Sequence, residues 1–242
     1  MQRARRLASV AVVASLAVAG LSACRSEPSV AAYIGDTKIT EDRVDAVFDE
    51  ARAAAVPARE GEAPAPAVTR GDVVNALVSA DVLGKVVKAR NLTPPADLNF
   101  EQAASDLRLP ATAEYVRLYA TAKTYVSLLR QDAPATGEPT EADMHQVFDV
   151  LVANGEADAS QFEQFKAQLP AQNKQLVTSA AAVRNEINEV TGPMKIRVNP
   201  RYQPASISVL EFQTQNGAVR PLVTAPLGAD DTVPVSAVSG GR

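Results

Sequence analysis

The chain is short of the residues that most often carry chemistry. It has one cysteine, Cys24, one histidine, His145, and no tryptophan. A lone cysteine cannot close an intramolecular disulfide, and a zinc site built on thiolates or imidazoles lacks ligands. A Ser-His-Asp triad would have to use His145, which falls within a predicted helix where spacing offers neither a nucleophile nor an orienting carboxylate. His145 is therefore read as an ordinary helix side chain. There is no phosphate loop and no G-x-G-x-x-G fingerprint. Carboxylates are plentiful, so counting alone leaves a paired-carboxylate hydrolase open, but no pair stands out. No metal, cofactor or catalytic residue is expected.

Long apolar runs are also scarce. The one at the start, residues 7–21, is free of charge for 15 residues, fewer than the roughly 20 a helix needs to cross the hydrocarbon core. Arg3, Arg5 and Arg6 precede it and Leu21-Ser22-Ala23-Cys24 follows, which is the layout of a secretory signal. That tetrapeptide resembles the lipobox of bacterial lipoproteins. The resemblance implies a diacylglyceryl group on the Cys24 sulfur and cleavage just ahead of it. Two acyl chains give stable attachment where one holds only marginally, so Cys24 is expected to anchor the mature chain to the outer face of the cell membrane. The alternative is an ordinary signal cut after Ala23 with an incidental cysteine. Arg5-Arg6 also invites a twin-arginine reading, but basic pairs are common in signals, and the general secretion route is favoured.

Loss of Arg3, Arg5 and Arg6 with the signal takes the formal net charge from −4 to −7. Such a chain has no electrostatic reason to bind nucleic acid or anionic lipid. The remaining chain, about 220 residues, is long enough to bury one good core. A tether over residues 24–30, one domain over 31–212 and a disordered tail over 213–242 are expected, the tail from its polar, Gly- and Pro-punctuated composition.

Within the domain, Ala31-Ala32-Tyr33-Ile34 and Lys38-Ile39 flank a Gly35-Asp36-Thr37 turn, the pattern of two short strands. Thr40 is placed to cap a helix with Glu41 and Asp42 in its first turn and Val44, Val47, Phe48 and Ala51 on one face. Residues 56–68, with Pro57, Pro64 and Pro66, read as a mobile loop. Thr69 with Asp72 fits a capping box that opens a helix to about Arg90, apolar over most of its circumference and so placed mid-bundle. Further helices are predicted over 97–107, over 113–130 and from capping boxes at Thr140 with Asp143 and Ser160 with Glu163. The last spans 171–190, burying Leu176, Ala180, Val183 and Ile187 before Gly192-Pro193 stops it. Met194-Lys195-Ile196-Arg197-Val198 then alternates as a strand does and needs a partner, for which the nearest candidates are the strands at the start of the domain. The fold class is therefore mostly α: a helical bundle with a small β-sheet joining N-terminal strands to a late one.

Ala32-Tyr33-Ile34-Gly35-Asp36-Thr37-Lys38-Ile39-Thr40-Glu41 resembles the opening of the SurA, PrsA and trigger-factor-like chaperones. Val74-Asn75-Ala76-Leu77-Val78, Leu83 and Ala89-Arg90-Asn91-Leu92 are similar to the second helix of that domain, and the closing strand with Asn199-Pro200-Arg201-Tyr202 to the end of actinobacterial lipoproteins carrying a SurA-like N-terminal domain. The resemblance covers residues 30–205 and implies a domain closed by a late strand joining the early ones. It also implies binding of unfolded or newly exported polypeptides. Many relatives insert a parvulin prolyl-isomerase domain. Here residues 132–190 read as helices, are too short and lack its glycine pairs and histidines, so isomerase activity is not carried over. The expected function is that of a non-catalytic, lipid-anchored chaperone-like protein of the cell envelope. The alternative is an adaptor lipoprotein for one dedicated envelope partner. Tyr115, Tyr119, Phe148 and Phe162 are the candidates to line a client-binding surface; the competing reading for each is core filling.

Overall fold

The computed structural model describes residues 29–55, 67–133, 137–215 and 217–228. The signal, Cys24, most of the tether, residues 56–66 of the predicted loop and residues 229–242 lie outside them.

The chain opens with β1 (Val30–Ile34) and β2 (Thr37–Thr40), antiparallel with Ile34 opposite Thr37. Gly35 makes the turn at φ +60, a backbone conformation in which a side chain is strained. The late strand joins them as expected. In β3 (Arg197–Val198), Val198 pairs with Ala32 and Arg197 with Tyr33, so β1 becomes the centre of a three-stranded sheet. The strand is shorter than the alternation predicts. Pro193 prolongs the preceding helix into a 3-10 turn over Gly192–Met194, and Lys195 turns the chain at φ 48. Only Ile196 and Val198 keep the buried phase.

Seven helices follow among the described residues. The first is α1 (Glu41–Ala54), capped by the Thr40 hydroxyl, which accepts from the Arg43 N–H. α2 (Arg70–Ala89) opens on the full Thr69/Asp72 capping box and buries Val73, Val74, Val78, Val82, Leu83 and Val86 completely. It packs against α1, α4 (Glu114–Asp132), α7 (Ala171–Thr191) and both sheets. A helix with apolar groups nearly all round is stable only when surrounded, and α2 is the axis of the bundle. Between them, α3 (Phe100–Leu107) leans on α4. The Arg43 guanidinium forks onto Glu114 and ties α1 to the start of α4.

α5 (Glu141–Ala153) starts at the predicted Thr140/Asp143 capping box. α6 (Phe162–Gln168) does not start at Ser160. Asp158 accepts from both the N–H and the hydroxyl of Ser160 and caps a 3-10 turn over Ala159–Gln161 that precedes the helix. In α7, Ala180, Val183 and Ile187 are buried as expected, but in the first turns Val177 takes the buried place and Leu176 is exposed.

The largest departure is at the end. Residues 213–242 were expected to form a disordered tail, yet β4 (Ala205–Gln213) and β5 (Val219–Leu227) pair as an antiparallel hairpin. Its inner face, Ala205, Ile207, Val209, Val223, Ala225 and Leu227, is buried against α2 and α7. Gly228, at φ +75, then brings β5 against β3: a Cβ there would lie 3.1 Å from the Val198 nitrogen. The domain therefore extends past the expected boundary at 212, through Gly228 at least.

Candidate functional site

Where the hairpin meets the bundle, α2, α4 and β4 enclose an open cleft of about 190 Å³. Asn75, Ala76 and Ser79 come from α2, Tyr115, Tyr119 and Ala122 from α4, and Ser206, Ile207 and Ser208 from β4. Its position follows from local sequence. The small residues Ala76, Ser79 and Ala122 lower the helix surfaces there, and the serines of β4 alternate with its core residues.

Among the described residues β4 pairs only with β5, and at its other edge Ser206 meets Asn75 of α2. Ser206 lies opposite Pro226, which has no N–H to give, and the Ser206 N–H points away from β5 to donate to Asn75 Oδ1 at 3.0 Å. The two-residue period of a strand aims the main-chain groups of Ser208, opposite Thr224, the same way. The Ser208 hydroxyl is buried with no hydrogen-bond partner among the described residues, and Ser79 is only 5% exposed.

Tyr119 and Lys123 form the wall between this cleft and a second one of about 170 Å³, floored by Ala103 and Ala120 between α3 and α4. The Lys123 ammonium hydrogen-bonds Glu211 on β4 and lies 5.7 Å from the centre of the Tyr119 ring. Burial opposes the charge on Lys123, but the hydrogen bond and charge of Glu211 together with Tyr119 outweigh it and hold the ammonium above its usual pKa. Burial pushes the phenols of Tyr115 and Tyr119 up, with Asp72 adding to it at Tyr115. Both phenols stay neutral donors at any physiological pH.

Of the residues singled out from sequence, Cys24 lies outside the described residues. Tyr115 and Tyr119 share the cleft, although Tyr115 is 7% exposed and mostly core. Phe148 and Phe162 fall elsewhere. Phe148 is buried, meeting Phe162 edge-on at 5.4 Å and Phe165 at 5.3 Å, while His145 stacks on Phe162 at 3.5 Å. These rings fasten α6 to α5, which is the core-filling alternative. The four residues thus make no common surface. Asn75, Ser79, Ser206, Ser208, Lys123 and Glu211 were missed. The signal for the strand was the alternation Ala205-Ser206-Ile207-Ser208-Val209.

Among the described residues no group of three or more His, Cys, Asp or Glu is arranged to hold a metal ion, and no helix is long and apolar enough to cross a membrane. Comparison with family models, with curated proteins and with solved structures finds no match to this chain.

Proposed function

We propose that the protein is a non-catalytic, chaperone-like lipoprotein that binds unfolded or newly exported polypeptides at the outer face of the cell membrane. The observation that carries the reading is the cleft along β4. It combines an aromatic and apolar wall with outward-facing main-chain groups on a strand edge, the two things an extended polypeptide needs: burial for a side chain and hydrogen bonds for its backbone. At about 190 Å³ it is smaller than the roughly 300–1,000 Å³ of pockets that enclose small molecules. The anchor belongs to the same proposal and rests on the lipobox around Cys24.

A dedicated envelope partner is the second reading, and one feature favours it. Among the described residues only Leu176 and Val219 are large, apolar and exposed, at 39% and 60%. A broad client range would draw on more apolar surface than that, or on parting of the helices. The soluble form, residues 25–242, tests the reading. It should delay aggregation of an unfolded client in molar excess while leaving proline-limited refolding at its uncatalysed rate, which is tens of seconds or slower. Unchanged aggregation would favour the dedicated partner. Faster refolding would contradict the non-catalytic assignment.

A further inference from the structure

We propose that the cleft receives an extended segment carrying a compact, uncharged side chain flanked by lysine or arginine. This rests on the polypeptide-binding reading above and adds the chemistry of the segment.

The main chain of the segment is recognised by β4. Its edge residue Ser206 already spends its N–H on Asn75, while Ser208 offers main-chain groups toward the cleft. An extended segment laid along this edge pairs with those groups as an added strand would. The side chain is limited by space: Tyr115, Ala76, Ala122 and Ile207 leave room for a compact apolar group.

The flanks are set by charge. Lys123 is taken up by Glu211, which leaves the exposed carboxylates of Asp72 at one cleft and Asp106 at the other. Their hydrogen bonds come from Thr69 and Gln102, neutral groups that bring no opposing side-chain charge. A cationic residue on either side of the inserted position meets this rim, and an acidic one is repelled by it.

Short labelled peptides of alternating valine and serine, flanked by lysines or by glutamates, test the proposal against residues 25–242 by fluorescence anisotropy. The lysine-flanked peptide should bind about tenfold or more tighter than the glutamate-flanked one. Methylation of alternate backbone nitrogens should abolish binding. Asp106→Asn, on the surface, should narrow the gap between the two flanks while leaving helix content and melting unchanged. Equal affinity for both peptides, binding indifferent to backbone methylation, or an undiminished gap in folded Asp106→Asn would each overturn the proposal. If no peptide binds but the protein still delays client aggregation, this cleft assignment fails and the polypeptide-binding reading stands. If it does neither, both fail.

Discussion

Two residues that look alike in sequence, Asp143 and Asp158, both sit near helix starts yet differ in what they hold. Asp143 accepts from Thr140 at the N-cap of α5 and from Arg184 on α7 at 2.9 Å, with side-chain exposures of 12% for Asp143 and 17% for Arg184. Burial works against its charge, but the hydrogen bonds of Thr140 and Arg184 prevail and hold its carboxyl below the usual range. A depressed carboxylate stabilises the fold above its unfolded pKa, and that stability is lost as pH falls through the folded value. Asp143→Asn should cost about 1–3 kcal/mol at neutral pH. Its deficit against the wild type should shrink as pH drops below about 4. Urea melts at both pH values check this; a deficit independent of pH would mean that the ion pair is not the cause. At the other end of the chain, Cys24→Ala should abolish lipid labelling and membrane retention. Normal retention of that variant would remove the anchor from the account.

At the scale of elements, Gly228 is where the two sheets meet. Gly228→Ala places a Cβ at φ +75 and 3.1 Å from the Val198 nitrogen. The left-handed backbone alone costs about 1–2 kcal/mol, so thermal melting should shift by several degrees; an unchanged midpoint would mean that β5 and β3 do not touch. Ending the chain after Gln215 removes β5 and uncovers Ile207 and Val209. That protein should lose its cooperative transition, whereas a disordered tail could be cut without effect. Most of this architecture was legible. Thr40, Thr69 and Thr140 cap helices because their side chains reach the orphan N–H groups of the first turn, a local event that sequence encodes directly. The unpaired alternation at Ile196 and Val198 pointed to a distant partner because backbone groups cannot be buried unbonded. β5 was not legible in this way. Pro221 and Pro226 look like breakers, but β5 is an edge strand: Pro226 lies opposite Ser206, whose own N–H turns away to Asn75, and Pro221 follows the irregular pairing at Leu210 and Glu211. The cleft was hidden with it, since one wall is β4.

For the whole molecule, the parts combine as a bundle whose late hairpin lends it a strand edge. α2 is buried by every neighbour at once, so binding that displaced the hairpin would unsettle the core; in the proposed reading a client docks instead on groups of β4 outside its ladder, without unfolding the host. Hydrogen exchange on residues 25–242, alone and with an unfolded client, tests this most directly. The account predicts slower exchange over residues 206–211, centred on Ser208, with little change in α5 and α6. A complex that forms while exchange at residues 206–211 is unaltered would contradict it.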